Sequence, residues 1–244
     1  MKGLSDYLYY EEKNPDLKIY CGDFREVVPL LKNIDLLLTD PPYGIGVDVA
    51  MCKKSGKQYG RAAAPNGNYE LTDWDSKTPT ELDFQMLLTI AKYKVIWGGN
   101  YFPLPPSRCI LVWDKMNDVG NNAFADCELA WTNFDKPVRI KHHMWNGMLR
   151  MAQEQRWGHP TQKPVGVIKW CLSFCDGLTL DPFLGSGTTL VACKELNRNG
   201  IGIEISEKYC AIAKSRLKNT TRSLFHVNQP NEIPTPDLFP DSSE

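Results

Sequence analysis

Short hydrophobic runs alternate with amphipathic stretches along most of the chain. Runs rich in Ile, Val, Leu and Trp predict strands at 17–21, 34–39, 94–97, 109–113, 127–132, 138–144, 178–181 and 200–205. Helical spacing of apolar residues predicts helices over about 24–32, 79–92, 164–176, 187–197 and 206–218. This alternation is typical of an α/β fold built on a mostly parallel sheet.

Helix-start signals support three of these helices. Thr78-Pro79-Thr80-Glu81 fits a capping box in which Thr78 is the cap and Pro79 the first helical residue. Ser206 stands where an N-cap of the last helix is expected. Pro164 is well suited to open the helix over 164–176, because its missing N–H is not needed there.

Length and composition exclude several classes of protein. A chain of 244 residues with 42% hydrophobic residues can bury a core without disulfides or a structural metal. The first residues lack a secretory signal pattern, and no apolar run approaches the ~18 residues that span a bilayer. The eight cysteines include no C-x-x-C pair, and the pair Cys171 and Cys175 has no matching ligands elsewhere. We therefore expect a cytoplasmic protein with reduced thiols and no metal.

Charge is unevenly distributed along the chain. The net charge is −1, but residues 226–244 carry four acidic residues and no Lys or Arg, which leaves +3 on the rest. This Pro-rich segment predicts an acidic, disordered tail behind a domain at 1–225. Basic residues concentrate in 45–68 and 138–158, a distribution that permits nucleic-acid binding without proving it.

A glycine-rich loop follows the predicted strand at 178–181. The segment Leu180–Thr189 reads LDPFLGSGTT, and the next predicted strand ends in Glu204. Glycines let the backbone approach a ligand closely, and an acidic residue ending the second strand suits two ribose hydroxyls. The loop lacks the Gly-Lys-Ser/Thr of a P-loop, and Leu190 occupies the third small position of a dehydrogenase fingerprint. These features predict a nucleoside cofactor without a pyrophosphate.

A second motif, Asp40-Pro41-Pro42-Tyr43, follows the hydrophobic strand at 34–39. Asp-Pro-Pro is also ordinary turn chemistry. Consecutive prolines, however, fix a carbonyl rigidly and remove competing backbone donors. An Asp and a carbonyl aimed at one point, beside an aromatic ring, suit a planar heterocycle with an exocyclic amine.

These motifs together resemble those of the S-adenosylmethionine-dependent DNA amino-methyltransferases. The resemblance rests on Asp40–Tyr43 and Asp181–Thr189, with further matches at Cys21–Phe24, His159–Pro164 and Gly202–Ile205. The Asp40 motif precedes the glycine loop, as in the permuted beta group of bacteria and their phages. The resemblance implies a circularly permuted, Rossmann-like class I methyltransferase fold, mostly parallel with an antiparallel edge. It also implies that the strands ending at Asp181 and Asp40 are neighbours.

The resemblance assigns roles to individual residues. Glu204 is expected to hold the ribose of S-adenosylmethionine, and Asp23 and Phe24 to border its adenine. Thr161 and Lys163 are expected to receive its carboxylate. Further residues expected around the cofactor lie in or beside the glycine loop: Asp181, Phe183, Gly185, Ser186, Gly187 and Thr188.

The catalytic residues implied are Asp40, Pro41, Pro42 and Tyr43. They would bind the amine of a base flipped out of double-stranded DNA, with Tyr43 stacking on it. In the family, Asp at position 40 favours N6 of adenine, and N4 of cytosine is the alternative. Methylation of RNA or of a protein glutamine, and a catalytically silent DNA-binding module, are competing interpretations.

Target recognition is expected from the basic segments 45–68 and 138–158. Pro236-Asp237-Leu238-Phe239 faintly resembles peptides that dock on bacterial sliding clamps, although the usual glutamine is missing. A homodimer is left open. The resemblance places the protein in the cytoplasm of a bacterial or phage-infected cell.

Overall fold

The structure is a computed structural model that describes residues 2–44, 78–116, 125–146, 149–150 and 162–221. Within these ranges no helix is long and apolar enough to cross a membrane. The same ranges contain no group of three or more His, Cys, Asp or Glu residues placed to hold a metal ion.

A nine-stranded mixed sheet forms the centre of the molecule, in the order β1-β2-β11-β10-β3-β4-β6-β5-β7. Its strands are β1 (Leu8–Glu12), β2 (Leu17–Cys21), β3 (Ile34–Thr39), β4 (Ala91–Trp97), β5 (Ile110–Asp114), β6 (Cys127–Thr132), β7 (Arg139–His142), β10 (Thr179–Asp181) and β11 (Gly200–Glu204). A separate antiparallel pair consists of β8 (Trp145–Asn146) and β9 (Leu149–Arg150). Only β1 and β6 run against the other strands of the large sheet.

Helices cover both faces of the sheet. They are α1 (Phe24–Val27), α2 (Glu81–Ile90), α3 (Val165–Leu172), α4 (Thr188–Glu195) and α5 (Glu207–Asn219). Residues of α3, α4 and α5 pack with Leu36 and Leu38 in one core. Residues of α1 and α2 pack with Leu37 in the other core. Helices thus bury both faces of a sheet whose central strands are parallel, and the prediction of a mostly parallel α/β fold is confirmed.

Several predicted boundaries differ from the structure. The helix predicted over 79–92 begins at Glu81, because Thr80 is its N-cap and forms a capping box with Asp83. The cap predicted at Thr78 is therefore wrong by two residues. The same helix ends at Ile90, because Ala91 pairs with Ile34 in the sheet. The helical spacing of apolar residues continues to about residue 92, whereas strand pairing already begins at Ala91.

Two other features escaped the sequence patterns. The edge strand β1 reads LYYEE, pairs with one neighbour, β2, and has no buried residue, so it lacks the signature of an inner strand. Ser206 occupies the N-cap position of α5, but its side chain makes no capping hydrogen bond. Its backbone N–H instead donates to Glu204 Oε1 at 2.8 Å.

The topology brings the chemistry-bearing residues to one edge of the sheet. Strands β2, β11, β10, β3 and β4 are consecutive and parallel, so their carboxyl ends lie side by side. The strands that lead to Asp181 and Asp40 were predicted to be neighbours. This prediction is confirmed, because Leu180 of β10 pairs with Leu37 of β3. Residues 141 positions apart in the sequence thus meet across one crevice.

Candidate active site

The glycine loop between β10 and α4 is shaped by close packing. Gly187 is the N-cap of α4 and has a φ of +86°, a conformation that L side chains rarely adopt. A Cβ on Gly187 would approach the Ala213 Cβ to 2.7 Å. The loop can therefore lie against α5 only because this position has no side chain.

Glu204, at the end of β11, accepts backbone hydrogen bonds with both carboxylate oxygens. Gly185 N–H donates to Oε2 and Ser206 N–H to Oε1, each at 2.8 Å. Burial raises the pKa of Glu204, while these N–H groups favour its ionised form. Each oxygen keeps lone-pair capacity for a further donor, such as a sugar hydroxyl. Glu204 also joins the loop to the neighbouring strand end, because its carbonyl accepts the Gly22 N–H at 3.0 Å.

An aromatic pair borders the same end of the crevice. The rings of Phe24 and Phe183 lie 4.7 Å apart between centroids, at 51°. Asp23 is the N-cap of α1 and accepts the Arg25 N–H at 2.9 Å. Asp23 and Phe24 follow β2 and Phe183 follows β10, on either side of the strand that ends in Glu204.

Asp181 connects the loop with the strand that precedes Asp40. Its Oδ1 accepts from the Thr39 hydroxyl at 2.9 Å and from Phe183 N–H at 3.1 Å. Its Oδ2 accepts from the Thr189 hydroxyl at 2.6 Å. Burial raises the pKa of Asp181 to about 6, although these three donors oppose the shift. The Thr39–Asp181 hydrogen bond is a direct bridge between the two predicted sites.

Arg216, on α5, is a site residue that sequence reasoning missed. The side chain is buried, with 3% of the residue exposed. Its Nη1 donates to the Ser186 carbonyl and Ser186 Oγ at 2.8 Å and to Thr188 Oγ1 at 3.0 Å. A sequence signal existed, since Arg216 follows the buried positions Cys210 and Ala213 at helical spacing.

Asp40 and Tyr43 contact one another directly after β3. The Tyr43 hydroxyl donates to Asp40 Oδ1 at 2.5 Å, and Lys163 Nζ donates to Asp40 Oδ2 at 2.5 Å. Burial raises the pKa of Asp40, while the Lys163 ammonium opposes this and the Glu128 carboxylate adds to it. Burial and the Asp40 carboxylate also raise the pKa of Tyr43 well above its ordinary value, which keeps the phenol protonated as a donor.

Lys163 is buried at the start of α3, where the resemblance implies contact with the cofactor carboxylate. In the structure its ammonium lies on Asp40, 3.3 Å from the Tyr43 hydroxyl and 3.0 Å from Glu128 Oε2. Burial would lower the pKa of Lys163, but the carboxylates of Asp40 and Glu128 hold it well above its ordinary value. In this structure Lys163 thus contacts Asp40, its role towards the cofactor carboxylate stays a prediction, and Thr161 lies outside the described residues.

Aromatic side chains surround Tyr43. The Tyr101 ring stacks on Tyr43 with centroids 5.0 Å apart at 21°, and Phe102 contacts it edge-on at 6.0 Å. Gly98, with a φ of +68°, lies so close that a Cβ would come within 2.2 Å of the Tyr43 ring. The segment after β4 thus packs around Tyr43.

Other predicted regions lie wholly or partly outside the described residues. This applies to the basic segment 45–68, to residues 147–148 and 151–158 of the second basic segment, and to the tail 226–244. The described part of the second segment includes β7, an edge strand on which Arg139 is exposed. His142 of β7 pairs with Asp114, with 2.7 Å between Nδ1 and Oδ2.

The described residues fit a nucleoside cofactor with an aliphatic charged end. Glu204 offers carboxylate oxygens at one strand end, the Phe24–Phe183 pair offers apolar ring surface, and the glycine loop brings its backbone to Glu204 through the Gly185 N–H. Across the Thr39–Asp181 bridge, Asp40 offers a carboxylate beside the Tyr43 ring. The crevice can therefore present a cofactor to a planar amine.

Comparison with known proteins identifies the family. The N6/N4 methyltransferase family model, described as DNA methylase, matches residues 91–215. Type II methyltransferase M.ScaI of Streptomyces caespitosus is 27% identical over 89% of this chain and 86% of its own length. Type II methyltransferase M2.MboI of Moraxella bovis is 26% identical over 87% and 92%.

Solved structures share the fold. The M1.HpyAVI–SAM complex matches 82% of this chain and 98% of its own, with a TM-score of 0.50 and 22% identity. The cytosine-N4-specific PvuII DNA methyltransferase matches 82% and 86%, with a TM-score of 0.51 and 16% identity. Because the family model covers more than half of the chain, the chain belongs to the N6/N4 DNA methylase family of S-adenosylmethionine-dependent methyltransferases.

Proposed function

We propose that this enzyme transfers a methyl group from S-adenosylmethionine to N6 of an adenine flipped out of double-stranded DNA. One observation carries the proposal: Thr39, the residue before Asp40, donates a hydrogen bond of 2.9 Å to Asp181 at the start of the glycine loop. Asp40, with Tyr43 hydrogen-bonded to it, therefore lies next to that loop. An acceptor for an amine and a candidate cofactor site therefore share one crevice.

Glu204 holds the cofactor ribose, and Phe24 with Phe183 flanks its adenine beside Asp23. The loop from Asp181 to Thr188 encloses the methionine portion, and Thr161 is assigned to its carboxylate. When bound, S-adenosylmethionine supplies an electrophilic methyl group on a sulfonium. All other parts of the reaction depend on how the chain's own residues bind and orient the amine.

Asp40 activates the target nitrogen by accepting one of its N–H groups. An exocyclic amine is a weak nucleophile because its lone pair is delocalised into the ring. The Pro41 carbonyl accepts the second N–H, which draws the nitrogen towards tetrahedral geometry and frees the lone pair. Pro41 and Pro42 carry no N–H of their own, so no backbone donor of theirs competes for Asp40.

Alignment and proton transfer complete the step. The nitrogen–methyl bond forms as the sulfur–methyl bond breaks, and the extra proton on nitrogen passes to an Asp40 oxygen and then to solvent. The raised pKa of Asp40 suits it to this transient acceptance. Alignment of reacting groups can supply about 7–11 kcal/mol of a barrier.

Tyr43 stacks on the flipped base. A duplex hides the amine, so the base must leave the helix to reach Asp40. Tyr101 occupies one side of the Tyr43 ring in the present structure. The base either replaces Tyr101 or takes another approach to the ring, and in both cases the aromatic surface compensates for lost base stacking.

DNA recognition is assigned to segments 45–68 and 138–158 within a catalytic domain at 1–225. Positive charge there contacts phosphates, while Asn146, Gln153 and Gln155 are candidates for base edges. Relatives named Type II methyltransferases point to a restriction-modification setting in a bacterial cytoplasm. Homodimer formation and clamp docking by residues 228–244 are separate predictions, tested by sedimentation and by peptide binding to a purified clamp.

The test combines purified protein, labelled S-adenosylmethionine and unmethylated genomic DNA, followed by nucleoside mass spectrometry. N6-methyladenine is the expected product, and sequencing of the modified sites then identifies the target. N4-methylcytosine would retain the mechanism and overturn the choice of base. Cofactor binding without label in DNA would contradict the proposal and favour an RNA or protein substrate or a silent module.

A further inference from the structure

Four side chains of alternating charge form a row of ion pairs that ends at Asp40. Lys163 Nζ lies 2.5 Å from Asp40 Oδ2 and 3.0 Å from Glu128 Oε2, and Lys115 Nζ lies 2.7 Å from Glu128 Oε1. The Glu128–Lys163 contact is an ion pair without the alignment of a hydrogen bond, so the Lys163 protons favour Asp40 and Tyr43. The series therefore reads Lys115, Glu128, Lys163, Asp40, with alternating sign.

Separate elements of the fold deliver these four residues. Glu128 is on the inner antiparallel strand β6, and Lys115 directly follows β5. Lys163 precedes α3, and Asp40 follows β3. Taking charges out of water is costly, so such a chain persists only where its members pair well or serve a function.

Lys163 is shared between two carboxylates, and this sharing affects Asp40. A lysine paired only with Asp40 would place its full positive charge against that carboxylate. It would then occupy the Asp40 lone pairs that must accept an N–H of the target amine. Glu128 holds the same ammonium from the other side at 3.0 Å. Lys115 anchors Glu128 in turn, so that the carboxylate cannot turn away.

We propose that Glu128, anchored by Lys115, is a positioning residue for methyl transfer: it shares Lys163 with Asp40 and so keeps the Asp40 carboxylate oriented and open to the target amine. The inference rests on the proposed role of Asp40 as amine acceptor. Neither Glu128 nor Lys115 is expected to touch the base or the cofactor.

The negative charge of Glu128 also predicts the direction in which the pKa of Asp40 should shift when Glu128 or Lys115 is replaced. The ionisable groups that act on Asp40 are Lys163, Glu128 and Tyr43, with Asp181 across the Thr39 bridge. Glu128 raises the pKa of Asp40, so Glu128→Gln removes a nearby negative charge and lets Asp40 ionise at lower pH. Lys115→Gln leaves Lys163 drawn towards Glu128, which shifts Asp40 ionisation to higher pH.

The experiment compares wild type, Glu128→Gln, Lys115→Gln and the control Glu12→Gln. Glu12 pairs with buried Lys194 at 2.7 Å on the β1 side of the sheet, so its substitution neutralises a similar ion pair far from Asp40. We expect Glu128→Gln to lower kcat on the order of 10²-fold, as a misplacement of about 1 Å can. Its Kd for S-adenosylmethionine should match that of the control. In a plot of kcat against pH, its acidic limb should lie at lower pH than that of wild type.

A second readout needs neither DNA nor cofactor. Carbon-13 NMR of labelled aspartates, with Asp40 assigned through Asp40→Asn, follows the Asp40 titration in each ligand-free protein. The expected shifts are to lower pH in Glu128→Gln and to higher pH in Lys115→Gln, with none in Glu12→Gln. If Glu128→Gln fails to fold, Lys115→Gln carries the same test with opposite sign.

Different failures are distinguishable. An Asp40 titration that ignores both substitutions would overturn the positioning role, as would equal losses of kcat in Glu128→Gln and Glu12→Gln. A wild-type protein that methylates no DNA would refute the proposed function, while the ligand-free titration would still decide whether Glu128 controls Asp40.

Discussion

The contact of Arg216 with the glycine loop offers a direct test of how α5 supports cofactor binding. Arg216→Met removes three hydrogen bonds from a cation to Ser186 and Thr188, with lengths of 2.8–3.0 Å. The matched control is Lys218→Met, which removes the same charge from an exposed position on the same helix.

The magnitude follows from the number and kind of hydrogen bonds that the substitution removes. A hydrogen bond to a charged group contributes about 1.5–3 kcal/mol, and a buried acceptor left without a partner costs about 1–3 kcal/mol. Two of the three acceptors are hydroxyls that can rotate to other partners, whereas the Ser186 carbonyl cannot. We therefore expect Arg216→Met to lower the free energy of unfolding by about 2–4 kcal/mol, or Tm by roughly 4–16 °C for a chain of this size.

Cofactor affinity separates a positioning role from a purely structural one. If Arg216 holds the loop in its binding shape, Kd for S-adenosylmethionine should rise by at least ~10-fold, which is about 1.4 kcal/mol. Calorimetric titration measures this Kd, and scanning fluorimetry measures Tm. At saturating cofactor, kcat should stay near that of Lys218→Met. A lower Tm with an unchanged Kd would refute the reasoning, because the loop would then keep its shape without Arg216.

Three further predictions test the remaining parts of the site. Asp40→Ala should abolish methyl transfer with little change in cofactor Kd, whereas Glu204→Ala should weaken cofactor binding; comparable losses of affinity would contradict this division of roles. The raised pKa of Asp181, about 6, means that the folded state retains a proton the unfolded chain has lost, so its contribution to stability should fall by about 3 kcal/mol as pH rises from about 4 to above 6. Urea unfolding of wild type and Asp181→Asn across this range measures the difference, and parallel curves would refute it. Charge reversal at Lys53 and Lys57 should weaken DNA binding and flatten its salt dependence, and an unchanged salt slope would count against segment 45–68.

Hydrophobic periodicity predicted those helices and strands whose pattern is complete within one short stretch of the sequence. Strand β3 reads IDLLLT and five of its six residues are buried, so this strand could be placed by inspection. Pairing overrode local preference at Ala91, where helix spacing continued but a strand begins. The edge strand β1 left no comparable signal, because only one neighbour and part of one face constrain it.

Candidate site residues were recognisable where a motif carries them in consecutive positions. Asp40–Tyr43 and the loop from Asp181 to Thr188 are such motifs, and their roles stay predictions to be tested. Parallel strand order predicted that they would meet, which the pairing of β10 with β3 confirms. No motif pointed to Arg216 or Glu128, since each contributes one side chain to a contact with distant residues.

The sequence by itself thus determined the α/β layering, the order of the motifs and the edge of the sheet where they gather, because hydrophobic period and chain order are local properties. Only the tertiary structure decided that Lys163 lies on Asp40 between two carboxylates, and that Arg216 donates hydrogen bonds to the glycine loop. A buried charge takes the partner that packing brings within about 3 Å, and residues 30 and 123 positions apart meet only when the sheet and its helices have assembled.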